Sequence, residues 1–112
     1  YAVDAVAEIL YSSEDGGATF HADTLNLTVK RFQRGNAGAA VRRGDPRGGQ
    51  DRIYATPGRE KDLWIAAYDG LYCSAASEKF DFRVLDKVRT IYTFGFGKAK
   101  PGNDYPAIYL MA

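Results

Sequence analysis

The sequence predicts an all-β fold of short antiparallel strands joined by tight turns. Three observations lead there. Aromatic and β-branched residues dominate the apolar set, with eight Tyr and six Phe, and twelve Gly punctuate it. That mixture suits short strands and sharp reversals. No window of helical length holds a sustained apolar stripe at i, i+3, i+4. Finally, Asp69-Gly70 separates two apolar runs, and an Asp-Gly pair in that setting is the strongest short hairpin signal.

Nine strands are expected in chain order. The first two cover residues 1–6 and 8–12, and the third covers 19–26 with an extension through 28–32. Residues 52–56 form the fourth. Residues 63–68 and 71–74 follow as the two arms of the Asp69-Gly70 hairpin. The seventh, 80–85, alternates: Phe80, Phe82 and Val84 fall on one side, Asp81 and Arg83 on the other, as period-2 geometry requires. Residues 90–96 and 107–112 complete the set. Between the third and fourth lies a stretch of different character. Residues 34–50 are rich in Gly, Ala and Arg, contain Pro46, and read as a long exposed loop. Arg34, Arg42, Arg43 and Arg47 make it locally basic. It also holds Arg43-Gly44-Asp45, a tripeptide known from cell-adhesion recognition and read here as a solvated turn.

Composition narrows the function. With 15 basic and 14 acidic residues the net charge is +1. A nucleic-acid binder needs a basic footprint to displace counterions, and a polybasic membrane tether needs a cluster of Lys and Arg; neither is expected. No apolar run approaches the ~20 residues of a membrane span. Residues 1–4 lack the charged start and apolar stretch of a signal peptide. Cys73 is the single cysteine, so no intrachain disulfide forms, and it reads as a small apolar filler in a strand. One His and one Cys do not make a zinc site. Residues 95–98 lack phosphate-loop spacing. No metal and no cofactor are expected.

One motif organises the chain. Ser13, Asp15, Gly17, Thr19 and Phe20 fit the pattern Ser-x-Asp-x-Gly-x-Thr-aromatic, the Asp-box of sialidase-like (BNR) propellers. Its chemistry is structural. The Asp carboxylate accepts backbone N–H bonds within a turn, glycine permits positive φ, and the closing aromatic is expected to bury itself between layers. A second, degenerate frame is expected over residues 71–82, where the Asp and both glycines are lost. The offset is about 60 residues, against roughly 40–50 for a usual blade, and the 34–50 insertion supplies the excess.

Three stretches together resemble a family: ILYSSEDGGATF at 9–20, PGREKDLWIAAYDGLYCS at 57–74 and FGFGKAKPGNDYPAIY at 94–109. They are similar to the late C-terminal propeller of glycoside hydrolase family 74, the xyloglucanases and related endo-β-1,4-glucanases. The resemblance implies about two four-stranded antiparallel blades of a seven-bladed β-propeller. Residues 1–33 would end one blade, 34–50 form the loop, 51–86 make a complete blade, and 87–112 open the next. Such a piece is a fragment, since a ring needs typically four to eight blades. The rest of the propeller, or self-association, would then cover its open faces. The resemblance also implies a secreted or periplasmic parent that hydrolyses β-1,4-glucan, including xyloglucan, with inversion. Two carboxylates ~6.5–9.5 Å apart would do that chemistry. In the family they lie on other blades, so no catalytic residue is assigned here and the isolated chain is expected to be inactive.

Sugar binding is the remaining site-level expectation, because pyranose rings stack on aromatic faces. Trp64, Tyr68, Tyr92 and Tyr105 are the candidates. Two alternatives stay open. One is a non-catalytic Asp-box propeller module that binds glycan or protein. The other is a small self-associating β protein.

Overall fold

The structure, a computed structural model, describes residues 1–4, 7–25, 52–67, 70–75, 79–88 and 91–112. Among them are nine strands and no helix. β1 (Ala2–Asp4), β2 (Ile9–Ser12) and β3 (His21–Thr24) form one antiparallel sheet; β4 (Arg52–Ala55), β5 (Leu63–Ala67), β6 (Gly70–Ser74) and β7 (Arg83–Val84) form a second; β8 (Thr93–Gly97) and β9 (Ala107–Met111) pair as a third. The sheets are separate, and no closed barrel forms among the described residues. The Arg43-Gly44-Asp45 tripeptide, the 34–50 loop and the 28–32 extension lie outside the described residues.

The four-stranded sheet is the centre of the molecule because both of its faces are apolar. In β5, Leu63, Ile65 and Ala67 face one way while Trp64 and Ala66 face the other, the alternation a strand imposes. Leu63, Ile65 and Ala67 join Tyr72 and Phe82 against Leu10 and Leu25 of the first sheet. On the opposite face Ala66, Leu71 and Ile91 pack with Trp64, Tyr54 and Phe94, which brings in the third sheet. Such a strand, buried on both faces, reads as a nearly continuous apolar run, and Leu63-Trp64-Ile65-Ala66-Ala67 is one.

Several strands are shorter than expected, each for a local reason. Thr19 is bound to Asp15 at 2.9 Å and so belongs to the turn, which delays β3 to His21. The strand expected over 80–85 is reduced to Arg83–Val84. The Asp81 N–H there donates to the Ser74 hydroxyl at 3.0 Å instead of to a ladder. The expected alternation persists: Phe82 is buried and Phe80 and Val84 half-buried, while Asp81 and Arg83 are exposed. Gly70 is not a turn residue; it is the first residue of β6, paired with Ala67.

One end of each sheet lies near the others, through the Tyr1–Phe80 ring contact and the Tyr105–Asp62 hydrogen bond. The 12–20 turn closes one end of the first sheet, and the 56–62 turn closes the end of the second at which Ser74 also lies. The Tyr1 ring meets the Phe80 ring edge-on with centroids 6.0 Å apart, which puts those ends side by side. The 98–106 loop joins them through Tyr105.

Candidate functional site

The turn after β2 is built from side-chain oxygens. The Ser13 hydroxyl donates to Asp15 Oδ1 at 2.8 Å and accepts the Gly17 N–H at 2.8 Å. Asp15 Oδ1 also accepts the Thr19 N–H at 2.9 Å, and Oδ2 accepts the Thr19 hydroxyl at 2.5 Å. Gly16 and Gly17 have φ of 72° and 95°, the left-handed region that glycine enters without penalty. Donors on the carboxylate stabilise its charged form. The Thr19 hydroxyl, then the Thr19 N–H, then the Ser13 hydroxyl hold Asp15 well below the usual carboxylate range. Phe20 corrects the expectation of a buried closing aromatic: it is 55% exposed. Its ring lies beside Gly17, 3.9 Å from where a Cβ would sit, and the β3 strand that follows is exposed throughout.

At the same end, a second cluster joins the middle and third sheets. The Tyr105 hydroxyl donates to Asp62 Oδ1 at 2.8 Å and accepts the Trp64 Nε1–H at 2.9 Å. The Thr56 hydroxyl donates to the same Asp62 oxygen at 2.7 Å and lies 3.3 Å from the Tyr105 hydroxyl. Thr56 and Asp62 are buried. The 56–62 turn sets them opposite each other, with the Thr56 N–H on the Asp62 carbonyl at 2.9 Å. The Arg59 guanidinium sits over the Tyr105 ring, 4.8 Å from its centroid, in cation–π range. Phe94 lies 5.8 Å from the Trp64 ring. Burial first, and the hydrogen bond to Asp62 with it, push the Tyr105 phenol above its ordinary value. Cys73, opposite Trp64 in the β5–β6 register, is pushed up by burial and then by the charge of Asp62. Its thiolate is therefore disfavoured at neutral pH.

The four sugar-binding candidates part company. Trp64 and Tyr105 are hydrogen-bonded to each other. Tyr92 lies at the opposite end and is 64% exposed, its N–H held by the Met111 carbonyl at 2.8 Å. Tyr68 lies outside the described residues. Beside Tyr92 a cleft of about 70 Å³ opens between the middle and third sheets. Buried Ala66 and Ile91 and half-buried Tyr54 and Phe94 line it, together with exposed Arg52 and Thr93. Sequence reasoning named neither Arg52 nor Thr93, since only the sheet register brings them to Tyr92. Asp62 is buried and shared by two hydroxyl donors. No group of three or more His, Cys, Asp or Glu able to hold a metal occurs among the described residues.

No family model matches the chain, and no solved structure matches it. Over 60 residues, 54% of this chain, it is 42% identical to Xyloglucanase Xgh74A of Acetivibrio thermocellus, including that of strain ATCC 27405. This half of the chain is similar to part of a xyloglucanase. The match spans 7% of the length of that relative. No helix among the described residues is long and apolar enough to cross a membrane.

Proposed function

We propose that the chain is a scaffold segment of a xyloglucan-type glycoside hydrolase, built as blades of a sialidase-like β-propeller. The single observation that carries this is the 42% identity over 60 residues to a xyloglucanase. Sheets stacked face to face, with an Asp-box turn at one end, suit that reading. In it residues 1–33 end one blade, 51–86 form the next and 87–112 begin a third. The outer face of β8–β9, where Tyr109 and Met111 are exposed, packs on a neighbouring sheet of the parent or on a second copy. The parent acts outside the cytoplasm on β-1,4-glucan with inversion.

The segment itself is a support and not the acid–base pair. Asp15 is bound to Ser13 and Thr19 and held ionised, which suits neither a general acid nor a base working near neutral pH. Asp62 is committed to Thr56 and Tyr105. The test is a chimera in which the matching 60 residues of Xyloglucanase Xgh74A are replaced by those of this chain. Xyloglucan hydrolysis within about tenfold of the parent, a barrier change of roughly 1.4 kcal/mol, supports the proposal. A folded chimera without hydrolysis contradicts it.

A further inference from the structure

A phenol that loses one electron must also lose its proton, because the radical cation is a strong acid. A tyrosine therefore ends such a step most readily where a carboxylate already holds its hydroxyl. Tyr105 is placed that way. Its hydroxyl donates to Asp62 Oδ1 at 2.8 Å, and Asp62 is only 8% exposed. The same hydroxyl accepts the Trp64 Nε1–H at 2.9 Å. One hydrogen bond thus joins the phenol to the single indole of the chain. Tyr92 and Tyr109 are 64% and 66% exposed, and neither has a carboxylate partner among the described residues. Their phenolic protons pass to water.

We infer that Trp64, Tyr105 and Asp62 form a redox site, a sink for small radical oxidants that take one electron. Trp64 gives that electron to the oxidant and becomes an indole radical cation. Tyr105 then returns one electron to Trp64, and its phenolic proton moves to Asp62 Oδ1. The products are the reduced oxidant, neutral Trp64, a neutral Tyr105 phenoxyl radical and a protonated Asp62, so electrons and protons balance. The Thr56 hydroxyl lies 3.3 Å from the phenoxyl oxygen and is placed to turn its donor onto it. The Arg59 guanidinium, 4.8 Å from the ring centroid, shields one ring face from coupling with a second phenoxyl radical. An ene-diol reductant that gives one electron draws the proton back from Asp62 and restores the phenol.

The test is pulse radiolysis of the full chain with azide radical, a one-electron oxidant selective for indole. With one Trp in the chain, the indolyl absorption reports Trp64 alone. In wild type that band should decay with the same first-order constant as the phenoxyl band grows. The constant should not depend on protein or buffer-base concentration, and it should fall in D2O because a proton moves within the step. Tyr105→Phe and Asp62→Asn should each slow the transfer by roughly tenfold or more, the rate equivalent of about 1.4 kcal/mol of barrier. Tyr54→Phe and Cys73→Ser change the two residues that pair with Trp64 across the sheet, and both should leave the constant as in wild type. A wild-type constant that rises with buffer base would send the proton to solvent and overturn the site. So would transfer that survives Tyr105→Phe, or an equal loss in Tyr54→Phe or Cys73→Ser.

Discussion

Asp15 shows how much a single carboxylate can organise when its donors are close in sequence. It lies within four residues of every group it binds, so the turn forms without help from distant chain. The account predicts that Asp15 titrates far below an ordinary Asp, whose value is about 3.9, in carboxyl-detected NMR. Thr19→Val removes the largest contribution and should move the titration upward, while Thr19→Ser should restore most of it. The sign of the pH dependence follows from linkage. A carboxyl with a depressed folded-state pKa adds stability that is complete above the ordinary carboxylate range and fades as pH falls toward the folded value. A Thr19→Val chain whose Asp15 titrates as in wild type would contradict this. The motif was legible in the sequence because its bonds are local. The exposure of Phe20 was not, since it depends on which layer meets the ring.

At the scale of elements, the junction between the middle and third sheets is a polar cluster set in an aromatic surround. Trp64 and Tyr105 are 41 residues apart, and Tyr105 and Asp62 are 43 apart. Both aromatics stand out in the sequence as large side chains. Nothing local reveals that one hydroxyl serves Trp64, Thr56 and Asp62 together. Tyr105→Phe deletes that oxygen and leaves the indole N–H without its acceptor. A polar group left unsatisfied in a buried setting costs about 1–3 kcal/mol, and urea unfolding followed by Trp64 fluorescence should show a loss of that size. An unchanged midpoint would mean that water replaces the phenol freely. The wild-type junction should also weaken in alkali. The Tyr105 phenol is raised above its ordinary value, so its contribution is whole below about pH 10 and is lost as pH rises through the folded-state value.

For the whole molecule, the claim is that three sheets form one stack with the four-stranded sheet at its centre. The nine strand positions were legible from apolar runs and turn residues. Boundaries were less so, because Ser74 and Asp15 draw backbone N–H groups out of the ladders. Which faces meet was not legible, although the double-sided apolarity of residues 63–67 was the signal for it. The cleft beside Tyr92 was half legible: the tyrosine was named, but Arg52 and Thr93 come from strands 41 positions apart. Backbone amide hydrogen exchange on the purified chain tests the stack most directly. The β5 and β6 amides, above all Ile65, Ala66 and Tyr72, should exchange slowest, with Phe94 in β8 nearly as protected because the two apolar clusters share β5 and β6. Exchange of β8 and β9 at unfolded-chain rates while β5 and β6 stay protected would contradict the account, since the third sheet would then not belong to a single cooperative core.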